Sequence, residues 1–211
     1  MIQLFLVDDH ALVREGFKQL FSRTPDIQVA AEATNGSQLL EMLHDRHFDV
    51  ILLDMTMPGI SGTDLIARVK AGAHAPPVLI LSMHNEPQIA RRALAAGAAG
   101  YITKDNNPEV LLNAVRKVAA GERYIDPTLA QALALELTLP SGPRPPHESL
   151  TDRELQIFTL LASGASVNNI ADQLAISNKT VSTHKARLME KMGLASNVDI
   201  VRYAMQHGLL E

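Results

Sequence analysis

The stretch FDVILLDMTMPGISG, residues 48–62, decides the expected fold of the first half of the chain. It holds four consecutive aliphatic residues, Val50 to Leu53, followed by a carboxylate at Asp54 and then by a Met-Pro-Gly break. Such an aliphatic run is typical of a strand buried on both faces, as in a parallel sheet covered by helices. A carboxylate at the end of that strand is costly if it is dry and unpaired. Asp54 is therefore expected either to cap the next segment or to have a chemical function.

Four further apolar segments share this pattern and alternate with helical periodicity. The expected strands are 2–7, 27–31, 49–53, 77–81 and 99–103. Five such units predict a doubly wound α/β fold with a five-stranded parallel sheet over residues 1–122. The sequence after the first strand, VDDHALVREG, lacks the glycine fingerprint of dinucleotide-binding folds.

The pattern changes after residue 122. Residues 126–138 predict one more helix, and four prolines between positions 140 and 146 predict a semi-rigid connector. The expected linker therefore covers residues 123–147. Only helices are expected beyond it, over residues 148–211.

Local signals mark the helices of this last part. Thr151 and Glu154 form a capping-box motif at the start of its first helix, and Gly193 stops its long third helix. Ser196 is placed to cap the last helix, over residues 197–207. These boundaries predict a small all-helical domain.

Composition excludes several classes of protein. The chain contains no cysteine, which excludes disulfides and thiolate metal sites. No apolar run reaches the roughly 18 residues that a membrane span needs, and the N-terminus lacks the pattern of a signal peptide. A cytoplasmic protein with no membrane partner is expected by elimination.

Charge is distributed unevenly. The net charge is −4, which argues against a surface covered in basic residues for nucleic acid. Residues 178–192 differ from the rest, because four cations there face a single acid, Glu190. Any attraction for a phosphate backbone is therefore expected to be local to this segment.

Polar residues follow four of the expected strands, at the sheet edge where parallel folds bind ligands. They are Asp8 and Asp9, Asp54, Ser82, and Thr103 with Lys104. Clustered carboxylates repel one another unless a cation lies among them, and oxygen ligands favour Mg²⁺. Each residue alone has a simpler explanation as a helix cap, a turn former or a surface charge. Convergence of all of them at one edge favours phosphoryl transfer onto an aspartate.

Residues 1–122 resemble a receiver domain of two-component signalling, which has a flavodoxin-like fold. The resemblance implies that Asp54 accepts the phosphoryl group. It also implies that the ligands of Mg²⁺ are Asp8, Asp9, Asp54 and the backbone carbonyl of Thr56. The implied switch or phosphate-binding residues are Ser82, Tyr101 and Lys104. The sequence departs from many receivers in one place, because Asp105 follows the lysine where they carry proline.

An enzyme is the first alternative. Phosphatases of the haloacid dehalogenase type also use an aspartate nucleophile after an apolar strand, but they have a second aspartate two residues later. Position 56 is Thr, so the acid–base partner for turnover is missing. We therefore expect a phosphate acceptor with at most slow self-dephosphorylation and not an enzyme.

The segment SNKTVSTHKARLMEKMG, residues 177–193, predicts an amphipathic helix. Val181, Leu188 and Met192 fall on one stripe at 100° per residue, and small or charged residues cover the opposite face. A short helix, a turn and this helix together predict a helix-turn-helix, whose second helix enters the major groove. From the residues alone, a plain helical bundle with a solvated basic face explains the pattern equally well.

Residues 149–211 resemble a LuxR-type helix-turn-helix domain, and the whole chain resembles response regulators of the NarL/FixJ class. The resemblance implies base contacts from Ser182, Thr183 and Ala186. It implies that the DNA-backbone contacts come from Lys179, Thr180, His184, Lys185 and Arg187. It also implies a homodimer of the active protein through residues 197–207, which carry a broad apolar stripe.

The expected function is that of a phosphorylation-dependent transcription factor. Its expected partners are a sensor histidine kinase and double-stranded promoter DNA, with RNA polymerase as a candidate. A second alternative is an interaction adaptor whose C-terminal bundle never binds DNA.

Overall fold

The computed structural model describes residues 1–57, 59–60, 62–72, 75–83, 87–138, 145–174 and 176–209. The chain divides into two compact units, residues 1–139 and 140–211. Within the described ranges, helices are too short or too polar to cross a bilayer.

The first unit is a parallel sheet flanked by helices. Its strands are β1 (Ile2–Val7), β2 (Ile27–Ala33), β3 (Val50–Asp54), β4 (Val78–Ser82), β5 (Gly100–Thr103) and β6 (Tyr124–Ile125). Its helices are α1 (Ala11–Ser22), α2 (Gly36–Asp45), α3 (Gly62–Lys70), α4 (Pro87–Ala95), α5 (Pro108–Ala119) and α6 (Pro127–Thr138). The strand order is β2-β1-β3-β4-β5-β6, so β3 lies between β1 and β4.

The parallel α/β fold is confirmed, but the prediction of five strands is wrong by one. β6 adds a sixth strand, paired in parallel with β5. It has only two residues, too few to show an alternating pattern, and it forms because β5 offers an unpaired edge. Residues 123–138 thus belong to the first unit, so this unit takes in much of the segment expected to be a linker.

The aliphatic run of β3 is buried because this strand contacts helices on both faces. Along β3, Ile51 and Leu53 pack into the apolar cluster that contains residues of α2, α3, α4 and α6. Val50 and Leu52 point the other way, into the cluster with α1 and α5. All four side chains are fully buried. Burial on both faces places the polar end of β3, at Asp54, between two layers of helices.

Within its described residues, the second unit has a short 3-10 helix (Pro146–Ser149) and four α-helices. These are α7 (Asp152–Ala162), α8 (Val167–Gln173), α9 (Asn178–Met192) and α10 (Asn197–Gln206). The predicted capping box of Thr151 and Glu154 is present, Ser196 caps α10, and Gly193 ends α9 with a φ of 64°. A proline at the first position of the 3-10 helix loses no hydrogen bond, which reconciles this turn with the proline-rich sequence. Residues 139–144 of the expected connector lie outside the described residues.

Candidate functional site

The ends of β1, β3 and β5 meet at one edge of the sheet, as the sequence predicts. Lys104, which follows β5, extends its Nζ to within 2.9 Å of Oδ2 of Asp54 and 2.8 Å of Oδ2 of Asp8. Asp8 and Asp54 are 1% and 2% exposed, so both ion pairs are largely shielded from water. The lysine therefore bridges two buried carboxylates.

Asp54 is held by its own turn as well as by Lys104. The amide of Thr56 donates to Oδ1 of Asp54 at 3.1 Å. Burial raises the pKa of the Asp54 carboxyl, and this effect exceeds the opposite effect of the positive charge of Lys104. A carboxylate that is desolvated in this way is a candidate functional group.

Lys104 remains charged despite its environment. Burial by itself lowers the pKa of Lys104, but hydrogen bonds and charge interactions with Asp8 and Asp54 outweigh it, so the pKa is raised. Its backbone amide donates to the carbonyl oxygen of Ser82 at 2.7 Å, which ties the end of β5 to the end of β4. The Ser82 side chain is fully buried at this junction.

Four residues at this edge could share a cation. One ligand atom from each of Asp8, Asp9, His10 and Asp54 lies within 4.8 Å of the others. Oδ1 of Asp9 is buried and makes no hydrogen bond to the part of the chain that the structure describes. The ring Nδ1 of His10 lies 3.0 Å from that oxygen, in ion-pair geometry. These donors fit a divalent metal ion.

Tyr101 lies within the apolar core. Its side chain is 0% exposed and belongs to the cluster that contains Ala90 and Ala93 of α4 and Leu129 of α6.

In the second unit, α9 has the predicted two faces. Val181, Leu188 and Met192 are buried in the core of this unit. Of the predicted DNA-contact residues, those exposed to solvent are Lys179, Thr180, Ser182, Thr183, Ala186 and Arg187, while His184 and Lys185 are half-buried. The exposed group lies on one continuous face of the helix, and every member except Ala186 is polar.

Two neighbouring residues of α7 hold the helix-turn-helix in place. Arg153 donates through Nη2 to the carbonyl oxygen of Leu174, which follows α8, at 3.1 Å. Oε2 of Glu154 accepts from Nζ of Lys191 at 2.6 Å and from the amide of Thr151 at 2.8 Å. The positions of α8 and α9 therefore depend on α7.

His184 turns one ring atom toward the protein. Its Nδ1 is buried and makes no hydrogen bond to any described residue. Burial, followed by the positive charge of Arg153, lowers the pKa of His184.

The last helix divides its apolar residues between core and surface. Ile200 and Ala204 are fully buried, whereas Val198 and Met205 are 65% and 70% exposed. Part of the predicted apolar stripe therefore packs within the second unit, and the rest is exposed to solvent.

Comparison with known proteins identifies both units. The response regulator receiver domain family matches residues 4–116, more than half of the chain, and the luxR family of bacterial regulatory proteins matches residues 148–204. The chain belongs to the response regulators of two-component systems. As the sequence predicts, this response regulator joins a receiver domain to a LuxR-type DNA-binding domain and functions in transcription regulation.

Relatives match this response regulator over almost its whole sequence, and a solved structure matches about two thirds of it. The transcriptional regulatory protein UhpA of Escherichia coli is 41% identical over 202 residues, which are 96% of this chain and 97% of UhpA. The response regulator GacA of Pseudomonas aeruginosa is 36% identical over 211 residues, covering 100% and 99% of the two chains. A crystal structure of a LuxR-family response regulator from an Aurantimonas species superposes with a TM-score of 0.63 at 34% identity, covering 66% of this chain and 99% of that one.

Sequence reasoning missed two features of the response regulator. His10 joins the acidic cluster, and its place directly after Asp8 and Asp9 is the signal that could have indicated it. Lys191 is one of the four cations of residues 178–192 from which the sequence predicts a local attraction for phosphates, whereas its ammonium contacts Glu154 on α7. That pairing joins residues far apart in the sequence, so no local pattern reveals it.

Proposed function

We propose that Asp54 accepts a phosphoryl group from a sensor histidine kinase and that the phosphorylated protein binds promoter DNA through α9. The bridge of Lys104 between Asp8 and Asp54 carries this proposal. It places the positive charge of Lys104 beside the buried carboxylate of Asp54, where this charge can stabilise a phosphoryl group bound to Asp54. In the transfer, an oxygen of Asp54 bonds to phosphorus, the bond from phosphorus to the imidazole nitrogen of the kinase breaks, and that nitrogen keeps the electron pair.

Asp8, Asp9 and Asp54, with the backbone carbonyl of Thr56, would hold Mg²⁺. The metal would supply charge neutralisation for the transferred phosphoryl oxygens. The donor set supports this choice, because its oxygens are carboxylates and a carbonyl, which are hard ligands. Lys104 stabilises the negative charge that the phosphoryl group adds, and the nearby Ser82 hydroxyl and the aromatic Tyr101 respond to it as switch residues.

Turnover as an enzyme is not part of the proposed function. An efficient aspartate-based phosphatase needs a second acid–base group beside the nucleophile. Thr56 occupies that place, and its amide already donates to Asp54. At most, the phosphorylated protein loses its phosphate slowly to water.

The exposed polar face of α9 would read the operator. Ser182, Thr183 and Ala186 would face base edges, and the cations on the same helix would contact phosphates. Thr183 already donates its hydroxyl to the carbonyl of Lys179 at 2.9 Å, which leaves its oxygen to act as an acceptor. The half-buried His184 would contribute least, since its Nδ1 faces the protein.

A dimer would increase the affinity for DNA. Val198 and Met205 give α10 an exposed apolar surface suited to a second copy of the chain, and two linked half-sites bind far more tightly than one. The dimer would form in the cytoplasm after phosphorylation, with RNA polymerase as a further partner at the promoter.

The experiment is phosphorylation by acetyl phosphate with Mg²⁺, followed by intact-mass analysis. The wild type should gain one phosphoryl group, and the Asp54→Asn variant should gain none. Equal labelling of the two proteins, or no labelling of the wild type, would contradict the proposal.

A further inference from the structure

The segment that leaves the receiver domain is built onto the strand that carries Tyr101. β6 pairs with β5 in parallel, with Ile125 opposite Tyr101. The amide of Asp126 then donates to the carbonyl oxygen of Tyr101 at 3.3 Å. The backbone of Tyr101 therefore contacts the start of this segment directly.

Gly100 makes this close pairing feasible. A Cβ atom at this position would lie 2.7 Å from the carbonyl oxygen of Tyr124 and 2.9 Å from Cδ1 of Leu79. Since the first of these contacts is with backbone, a side chain here would have to push β6 away from the sheet. Glycine on β5 is thus required by β6.

Asp126 connects β6 to α6. It is 9% exposed, and its Oδ1 accepts from the amides of Thr128 at 2.9 Å and Leu129 at 3.4 Å. A carboxylate in this position satisfies free donors of the first turn of the helix. The orientation of α6 is therefore fixed at the point where β6 ends.

The side chains of α6 also pack into the apolar cluster that contains Tyr101. Leu129 is 1% exposed and lies in the same apolar cluster as Tyr101 and the α4 residue Ala93. Leu133, one turn further along, packs against this cluster as well. Interiors of this kind are close-packed, so a displaced aromatic ring changes the packing of its neighbours.

We propose that β6 and α6, residues 124–138, are the output element of the receiver domain and that phosphorylation of Asp54 loosens them. This inference rests on the proposed function of Asp54. Its physical basis is the position of Lys104, which contacts Asp54 through its side chain and Ser82 through its backbone amide. A phosphoryl group adds oxygens and negative charge within reach of that ammonium. The resulting pull acts on the end of β5, three residues from Tyr101.

Movement of β5 reaches α6 by two routes. The hydrogen bond between Asp126 and the Tyr101 carbonyl transmits a backbone shift, and the cluster around Leu129 responds to a shift of the ring. Packed interfaces of this kind change between discrete arrangements, which amplifies a small displacement. Because the chain continues from α6 toward the DNA-binding domain, loosening of α6 changes how that domain is tethered.

Hydrogen exchange of the full-length protein tests the proposal. Backbone amides of residues 124–138 are followed by mass spectrometry with Mg²⁺, before and after acetyl phosphate, and the phosphorylated fraction is measured on the same sample. We expect roughly tenfold faster exchange in this segment after phosphorylation, since a local opening that loses the packing of one leucine is easier by about that factor.

Three variants sharpen the test. Gly100→Ala should exchange rapidly in residues 124–138 before acetyl phosphate is added and should change little afterwards, although Asp54 is still phosphorylated. Asp126→Ala should behave in the same way, and it replaces Gly100→Ala in the test if that variant does not fold. Gln131→Ala, an exposed change on α6, should match the wild type. Phosphorylated wild type with unchanged or slower exchange would overturn the coupling alone, whereas the absence of phosphorylation would overturn the proposed function too.

Discussion

Lys104 and Asp54 form an ion pair at 2.9 Å in which the lysine side chain is 9% exposed and the aspartate side chain 2% exposed. Burying a carboxylate costs free energy, and the same lysine also neutralises Asp8. Lys104 is therefore a counter-ion that both buried carboxylates share, and this makes the electrostatics of the site testable by single substitutions.

Removal of the lysine should destabilise the receiver domain. In Lys104→Met at pH 7 without divalent metal, Asp8 and Asp54 lose their buried counter-ion, so the free energy of unfolding should fall by about 3 kcal/mol. The slowest-exchanging amides of β1 and β3 measure this free energy. Addition of Mg²⁺ should recover part of the loss, because the proposed metal site exists only in the folded protein. A variant as stable as the wild type without metal would contradict the prediction.

Neutralisation of the acceptor should have the opposite effect. Because burial raises the pKa of Asp54, its ionised form is less favourable in the folded than in the unfolded protein. Asp54→Asn keeps the acceptor for the Thr56 amide, leaves Lys104 paired with Asp8 and removes the buried charge. We expect the variant to be more stable than the wild type at pH 7 in metal-free buffer, because the substitution removes a buried negative charge. A loss of stability would show that the ion pair with Lys104 outweighs the burial of Asp54.

The DNA-binding domain should lose stability in acid through Glu154. Burial raises the pKa of Glu154, but hydrogen bonds from Lys191 and Thr151 outweigh it and hold the pKa below its ordinary value of 4.5. The folded state therefore binds a proton less readily than the unfolded state, so the stabilisation is complete above pH 4.5 and lost as the pH falls through the folded pKa.

Glu154→Gln tests this pH dependence. At pH 7 it should cost about 1 kcal/mol, a modest value because the side chain of Lys191 is 38% exposed and screened by water. At a pH below the folded pKa, the variant and the wild type should be equally stable. Lys191→Met should show the same loss at pH 7, and the double variant should lose little more. Independent, additive losses would rule out the pair as the cause.

Three cations of α9 should differ in their effect on DNA binding. Lys179 and Arg187 lie on its exposed face, whereas the ammonium of Lys191 contacts Glu154. With a DNA duplex of arbitrary sequence, Lys179→Ala and Arg187→Ala should each reduce the slope of log affinity against log salt by about 1. Lys191→Ala should leave the slope unchanged. If all three substitutions change it equally, the assignment of the exposed face is wrong.

The sequence is sufficient to predict those features that follow from neighbouring residues or from a general property of the fold. An aliphatic run such as the one before Asp54 indicates a strand buried on both faces. Parallel strands bring their carboxyl ends to one edge of the sheet, so the sequence predicts that Asp8, Asp54 and Lys104 lie close together. The capping box at Thr151 can be predicted because its two residues, Thr151 and Glu154, lie only three positions apart. Each of these features depends on neighbouring residues or on a general property of the fold.

Features that depend on residues far apart in the sequence cannot be predicted from local patterns. β6 has two residues and forms because Gly100 leaves space for it, and Lys191 is paired with a residue 37 positions earlier. The position of His10 in the acidic cluster depends on how the chain turns from β1 into α1. In all three cases tertiary contacts, and not local propensity, determine the outcome.

The central claim is that Asp54 is the residue that carries the phosphoryl group. Sodium borohydride reduces an acyl phosphate on an aspartate to homoserine, which tandem mass spectrometry locates in the sequence. After treatment with acetyl phosphate and Mg²⁺, the account predicts homoserine at position 54 in the wild type and at no position in Asp54→Asn. Homoserine at position 8 or 9, or the same product pattern in both proteins, would contradict it.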